Sequence, residues 1–497
     1  MYSERMSMSK NLSDADRGFF QLVAKAVACN PFEDRYLDLL TQIAGDPKAS
    51  GAEQDKLVAE RVKECVQKLE ADNAASVKQY ADADREVLHD ALLFDVFHRF
   101  YPAFDQLIAD QIAADDKLVP VPFAEEVLRL LARRGFNAEE ARRYFAIIYQ
   151  IRRAYFFIDR GLVGRSDCMK ELRRRLWNNV FTHDIRLYER HLWNRMEDFS
   201  TLLLGETGTG KGTAAAAIGR SGFIPFDEKK GCFAESFTRS FVALNLSQFP
   251  EALIESELFG HKKGAFTGAV EVHEGVFARC SAHGAIFLDE IGEVSVPVQI
   301  KLLQVLQERT FSPVGSHERL RFRGRVIAAT NRPLEKLRSG GQIRDDFFYR
   351  LCSDVLTVPP LRQRIQEDPR ELDDLIVLIV TRLTGESSEE MVRAVRKSID
   401  SSLGNNYAWP GNVRELEQAV RRILLTRHYE GDRKAIAPDL RARLQAGIED
   451  GLLDADALLA GYCALLHERH GTYEEVARRT NLDRRTVKAY IDKHKPS

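Results

Sequence analysis

The apolar run Leu202-Leu203-Leu204 leads into Gly205-Glu206-Thr207-Gly208-Thr209-Gly210-Lys211, and Gly212-Thr213 opens the stretch Ala214–Ile218. Strand, glycine loop and helix in this order turn backbone N–H groups inward on phosphate oxygens, and the helix N-terminus favours the anion. Lys211 adds a positive charge at the β- and γ-phosphates. One part of the usual pattern is missing, because the hydroxyl residue that follows the lysine is here Gly212, with Thr213 one place later. A second element is Ile286-Phe287-Leu288-Asp289-Glu290, an apolar strand ending in two carboxylates. In a parallel sheet ligands bind beyond the strand C-termini. There Asp289 could hold Mg2+, directly or through water, and Glu290 could polarise the attacking water. A third strand, Val326–Ala329, ends at Thr330-Asn331, whose amide could orient that water or sense the γ-phosphate. Together these strand ends point to ATP hydrolysis, with ATP and Mg2+ as cofactors.

The elements that must position these groups are legible around them. Thr201–Leu204, Phe241–Asn245, Ala285–Leu288 and Arg325–Ala329 are short apolar runs, each followed by a helical pattern, which predicts a parallel sheet with helices on its faces. Residues 15–160 read as mostly helical, with Pro102 expected to kink or split one stretch and an aromatic helix from about Glu139 to Ile158. Beyond Pro359-Pro360 the pattern is helical to about Tyr429, Glu430–Pro438 reads as a linker, and the last fifty residues are helical with a basic end.

At 497 residues the chain is long enough for several domains. Its net charge of −2 excludes a uniformly basic protein but not a local DNA-binding end. The seven cysteines are scattered singly without metal-ligand spacing, so reduced thiols are expected. Met1–Asp14 is polar, and no run approaches the roughly 18 apolar residues of a membrane span, which makes the cytoplasm the expected location and a membrane an unexpected partner.

From Leu162-Val-Gly-Arg-Ser166 to about Leu425 the chain resembles the AAA+ bacterial enhancer-binding proteins, the activators of sigma-54 RNA polymerase. The resemblance rests on Glu255-Ser-Glu-Leu-Phe-Gly-His261 running into Gly264-Ala265-Phe266-Thr267-Gly268-Ala269, on Gly292-Glu293, and on Leu302 to Arg309. Pro360-Leu-Arg-Gln-Arg364 and Trp409-Pro-Gly-Asn-Val-Arg-Glu-Leu416 complete it. It implies an ATPase coupled to remodelling of sigma-54 polymerase, with Gly264–Ala269 as the loop that touches sigma-54, chiefly through Phe266 and Thr267. It further implies that Arg344 and Arg350 reach a neighbouring subunit's γ-phosphate, which requires a homo-oligomeric ring, a hexamer in this family. Arg414 would report the nucleotide state to the lid, and Asn245 would restrain Glu290.

The sequence departs from the family at Gly212, where an acidic residue is usual, and in two long stretches, Trp177–Phe199 and Ser221–Ser240, expected to be peripheral insertions near the adenine pocket or a subunit contact. The expected architecture is multidomain: a helical N-terminal domain over 1–160 with no legible ligand, an α/β AAA+ P-loop core over 161–358, and a helical lid over 359–430. A linker over 431–450 and a Fis-like helix-turn-helix over 451–497 follow. In that last domain Thr472 and Asp483 would cap two helices around the turn Asn481-Leu482, with Val476, Ala477, Leu482, Val487 and Ile491 as core. Arg484, Arg485, Thr486, Lys488 and Lys495 would face double-stranded DNA at upstream, enhancer-like sites. Two other readings stay open from the residues: a DNA-binding regulator that holds nucleotide as a ligand, favoured by Gly212, and an unfoldase-type motor.

Overall fold

The computed structural model describes residues 10–386, 388–404, 407–431, 440–449, 451 and 453–494. They form two compact units, Met1–Val392 with Gly411–Glu417 and Arg393–Pro410 with Gln418–Ser497. The first unit begins with six helices: α1 (Asp14–Ala28), α2 (Asp34–Ala44), α3 (Ala52–Ala71), α4 (Asp82–Ala114), α5 (Ala124–Arg133) and α6 (Ala138–Gly161). Local chemistry sets the start of the last of them. The side chain of Asn137 accepts from the N–H groups of Glu139 and Glu140, while the Glu140 carboxylate accepts from the N–H of Asn137, a reciprocal cap that fixes where α6 begins. Phe20, Val23, Leu88, Phe104, Val127 and Phe145 are buried at the centre of the bundle.

Of the two outcomes expected at Pro102, a kink or a split, the split does not occur: α4 runs through it without a break. An interior proline costs about 3 kcal/mol. Phe94, Phe100, Phe104, Leu107 and Ile108, buried on both sides of it, supply packing of larger total size. His98 on the same helix packs against the Phe94 ring at 4.0 Å and hydrogen-bonds the Phe94 carbonyl, and burial pushes its pKa down to about 4.

The α/β part is a five-stranded parallel sheet of β1 (Thr201–Leu204), β2 (Phe241–Asn245), β3 (Ala285–Asp289), β4 (Arg325–Thr330) and β5 (Asp354–Thr357), in the order β2-β3-β4-β1-β5. Four strands match the expected runs. The fifth, Asp354–Thr357, was not anticipated, being short and only half apolar. Every residue of β4 is buried, as a central parallel strand requires. One face is covered by α7 (Asp167–Phe181) and by the phosphate-loop helix α8 (Lys211–Gly219), together with the end of α6, whose Ala154 and Ile158 are fully buried there. The other face packs against Leu258, Leu302, Val305 and Phe347.

The two long stretches are not peripheral, and this corrects the sequence reading. Thr182–Phe199 forms short helical turns, with a wide turn over Tyr188–Leu192, and reaches the N-terminal helices through Arg186 to Asp90 (2.8 Å) and Arg190 to Glu86 (3.0 Å). Ser221–Ser240 contains a small hairpin, Phe226–Asp227 with Cys232–Phe233, whose aromatics enter the bundle core. Phe226 meets Phe145 at 4.9 Å and Phe233 stacks on Tyr149 at 4.1 Å. Because these side chains are shared, packing is continuous across residue 160, where sequence alone placed a domain boundary.

At the start of the lid, Glu371 accepts from the N–H groups of Arg165 and Ser166 and from the Ser166 hydroxyl, and pairs with Arg364 at 2.7 Å. Both members of this pair are buried, and the pair fastens the Val163–Ser166 segment to the lid helices Leu361–Glu367 and Arg370–Thr384. In the second unit, residues 440–449 are a helix rather than linker. Leu440 and Leu444 pack beside Ala464 there, and that burial supports the helix. Most of the expected linker Glu430–Pro438 lies outside the described residues, as does Lys495. The chain then forms three helices, Ala455–His470, Tyr473–Thr480 and Arg484–His494, around Cys463, Leu466, Val476, Val487 and Ile491. Among the described residues no helix is long and apolar enough to cross a membrane.

Candidate active site

The loop Gly205–Gly210 leaves the C-terminal end of β1 and enters α8. Gly208 has φ +81°, and a side chain there would stand 2.3 Å from the carbonyl of Gly411, so both conformation and close approach require glycine. Lys211 is buried and donates to the loop carbonyls of Gly205 and Glu206 at 2.8 and 3.1 Å, while the Thr209 hydroxyl donates to the Glu206 carbonyl. Burial lowers the Lys211 pKa, and the nearby Glu290 and Asp289 oppose that shift.

β3 and β4 end beside this loop. Asp289 accepts from the N–H of Glu290 at 3.1 Å. Glu290 itself sits at φ 57° and ψ 50°, a left-handed conformation that costs a non-glycine residue energy and aims its carboxylate at the next strand end. There Oε2 accepts from the Asn331 N–H at 3.2 Å, and the Asn331 amide donates to the Thr207 hydroxyl at 3.0 Å. The chain Glu290, Asn331, Thr207 thus links the ends of β3 and β4 to the phosphate loop. A cleft of about 560 Å³ opens at this point, lined by Glu206, Thr207, Asn331, Arg332 and Lys336 among others.

Glu206 is held by residues that the sequence reading missed. Arg362 donates to both its carboxylate oxygens at 2.7 and 2.5 Å, and the Asn412 amide reaches Glu206 and the Thr207 carbonyl. The Arg362 hydrogen bonds hold the Glu206 carboxyl below the usual carboxylate range. Arg362 and Asn412 lie inside two of the quoted motifs, which was the available signal. Arg414 is tied to the same loop through its N–H and the Gly208 carbonyl at 3.4 Å.

Gly212 is helical, and a Cβ on it would meet only the Phe287 ring, at 3.9 Å. Thr213 instead lies beside the end of α6, its methyl 3.3 Å from where a Cβ on Gly161 would stand. Gly212→Ala should therefore fit and stabilise the chain by about 0.5–1 kcal/mol through reduced backbone entropy. A raised urea midpoint with unchanged ATP affinity is the expected reading; lost affinity would mean that phosphate needs the bare backbone at this position.

Other expected site residues stand apart from this centre. Arg344 pairs with Asp346 at 2.7 Å and Arg350 donates to the Leu306 carbonyl at 2.9 Å. Among the described residues no hydrogen bond or ion pair joins either arginine to Lys211, Asp289 or Glu290. Asn245 lies in register beside Asp289 but accepts from Ser247, and among the described residues no hydrogen bond joins it to Glu290. In the Gly264–Ala269 loop the Gly264 N–H donates to the Ala269 carbonyl at 2.8 Å, closing a tip with Gly264 at φ +81° and Gly268 at φ +102°. Phe266 lies edge-on to His261 yet stays 37% exposed, with Thr267 exposed beside it.

A five-stranded parallel sheet with a phosphate loop at one strand end, paired carboxylates two strands away and a helical lid defines an AAA+ P-loop ATPase fold. Residues 185–357 match the family model described as the Sigma-54 interaction domain, and residues 370–449 match the AAA+ ATPase lid domain. The chain is 36% identical over 345 residues to the transcriptional regulatory protein ZraR of Klebsiella oxytoca, covering 67% of this chain and 69% of that protein. It is 43% identical over 230 residues to the Nif-specific regulatory protein of Azotobacter vinelandii (46% of this chain, 40% of that one). It is 38% identical over 265 residues to the DNA-binding transcriptional regulator NtrC of Azospirillum brasilense (53% of this chain, 47% of that one). The chain belongs to the sigma-54-dependent transcriptional activators. Against two of these three relatives the match spans less than half of their length.

Proposed function

We propose that this chain hydrolyses ATP in the cytoplasm and uses the hydrolysis to press Gly264–Ala269 against sigma-54 RNA polymerase, permitting open-complex formation. The observation that carries the reading is the link Glu290, Asn331, Thr207 across adjacent strand ends, in the same α/β subdomain as an exposed Phe266. Glu290 takes the proton of the attacking water, and Asn331 holds its carboxylate in place. Lys211, released from the loop carbonyls, meets the β- and γ-phosphates. Among the described residues no salt bridge takes Asp289, so its carboxylate could hold Mg2+, which would supply positive charge to neutralise that developing on the γ-phosphate. Arg344 and Arg350 act in trans in a hexameric ring, exchanging their present partners for a neighbour's γ-phosphate, and Asn245 acts as the switch on Glu290.

The C-terminal helices Tyr473–Thr480 and Arg484–His494 form a helix-turn-helix that binds upstream double-stranded DNA. Asp483 caps the second helix by accepting from the N–H groups of Arg485 and Thr486 at 2.8 and 3.1 Å. Arg485 and Lys488 are exposed on it. Arg484 pairs with Glu474 and the Thr486 hydroxyl donates to Asp483, so Arg485 and Lys488 carry most of the phosphate contact.

The test is ATP-dependent open-complex formation by purified protein with sigma-54 polymerase. Thr267→Ala should lower open complexes at least about tenfold, as loss of a central contact does, with ATPase within about twofold of wild type. Full open-complex formation by the variant would detach the loop from this function, and no ATP-dependent opening by the wild type would remove the proposal.

A further inference from the structure

Three successive main-chain carbonyls just beyond α8 are each taken by a side chain of α6. Arg153 donates from Nη1 to the Arg220 carbonyl and from Nη2 to the Gly222 carbonyl, both at 2.7 Å. Gln150, nearly one turn earlier on α6, donates from Nε2 to the Ser221 carbonyl at 2.9 Å. The Tyr188 hydroxyl donates to Gln150 Oε1 at 2.8 Å, which fixes the amide in the orientation that serves Ser221. Gln150, Arg153 and Tyr188 are all buried.

A helix leaves its last carbonyls unpaired, and a cation at that end is favourable. Here the cation is fully buried, and its hydrogen-bonded partners are carbonyls, with the Tyr149 ring 4.6 Å beneath the guanidinium. Burial lowers the Arg153 pKa to about 10, so it stays charged at neutral pH. Bundle cohesion alone does not call for such a group, since an apolar side chain would fill the volume without desolvating a charge. What the charge serves is the turn that leaves α8, whose own last carbonyls already accept from the Arg220 and Ser221 N–H groups and the Ser221 hydroxyl. α8 has nine residues, hence a length of about 13 Å, and Lys211 is its first. The rear of the helix that receives the triphosphate is thus held by the N-terminal helices.

We propose that Gln150 and Arg153 are positioning residues for nucleotide binding: they clamp the rear of the phosphate-loop helix, so that the N-terminal helices set ATP affinity without touching ATP. This rests on the reading of Gly205–Thr213 as the ATP site. The clamp fixes where Lys211 and the first N–H groups of α8 stand, and the Arg153 charge reinforces the pull of the helix N-terminus on an anion. Glu290 and Asn331 lie on other elements, so the clamp acts on affinity rather than on the chemical step.

The experiment uses the full chain and compares Arg153→Met, Arg153→Lys, Gln150→Ala and Arg134→Met. Arg134 is a second buried arginine of the same helical domain, bonded to Asp95 and to the Leu92 carbonyl rather than to anything on α8. Binding of a fluorescent ATP analogue, ATPase KM and kcat, and the unfolding midpoint without nucleotide are read for each. Arg153→Met should raise Kd and KM about tenfold with kcat within about twofold, the size expected for a favourably placed charge near a helix end. Arg153→Lys should recover most of that loss. Arg134→Met should lower the midpoint and leave KM unchanged. If Arg153→Met does not fold, Gln150→Ala, which removes the bond to the Ser221 carbonyl and the acceptor of the Tyr188 hydroxyl but no charge, carries the test with a KM rise of about threefold. Unchanged KM in Arg153→Met, or in Gln150→Ala where only that variant folds, overturns the proposal. A wild type that binds no ATP would instead overturn the ATP reading itself, which the wild-type titration shows separately.

Discussion

Glu290→Gln should leave ATP binding within about twofold of wild type and lower kcat for hydrolysis by roughly 10²–10⁴, the usual contribution of a positioned general base. The reasoning is local. Glutamine keeps the shape of the side chain and an oxygen that still accepts from the Asn331 N–H, so the link from β3 to β4 survives. It keeps the left-handed backbone at this position as well, because the strain belongs to φ 57° and not to the carboxylate. What it loses is the ability to accept a proton from water. Lys211 and the loop N–H groups, which bind the phosphates, are untouched. Open-complex formation should fall with hydrolysis. A variant that still hydrolyses at the wild-type rate would take the base role away from Glu290. One that opens promoters without hydrolysis would favour the reading in which nucleotide is only a ligand.

The centre of this site was legible because its parts are short, local and ordered. A glycine loop after one strand, two carboxylates at the end of a second and an amide at the end of a third carry their geometry in their spacing, since a parallel sheet brings its C-terminal ends together. What was not legible depends on partners far away in sequence. The aromatics of the Ser221–Ser240 stretch do not say what they pack against, and only the structure sets Phe226 on Phe145 and Phe233 on Tyr149. Arg153 reads as one more arginine on an aromatic helix until its two carbonyl partners are seen. Arg362 lies inside a quoted motif, but its grip on Glu206 spans 156 residues and the motif does not name that partner. The helix is not split at Pro102 for the opposite reason: a strong local rule was overridden by burial on either side of it.

Deleting residues 1–160 should cost the chain its fold as well as any sensor. The cut strips cover from Phe226, Phe233 and Phe237, which are 8%, 5% and 1% exposed in the intact protein. Fully buried phenylalanines contribute about 1.5–3 kcal/mol each, so these three alone amount to roughly 5–9 kcal/mol. A whole domain is stable by only about 5–15 kcal/mol. The same cut removes Ala154 and Ile158 from the core of the sheet and frees the carbonyls of Arg220, Ser221 and Gly222 beyond α8. The truncated chain should accumulate at least about tenfold less soluble protein, because the uncovered aromatics form one apolar patch. Any soluble fraction should bind ATP more weakly. Supplying residues 1–160 as a separate polypeptide should restore solubility, since the lost contacts are side-chain packing and hydrogen bonds rather than chain continuity. A truncated chain that is soluble, monodisperse and as active in ATP hydrolysis as the full protein would show instead that the shared aromatic core is dispensable, and that the N-terminal helices are a removable module.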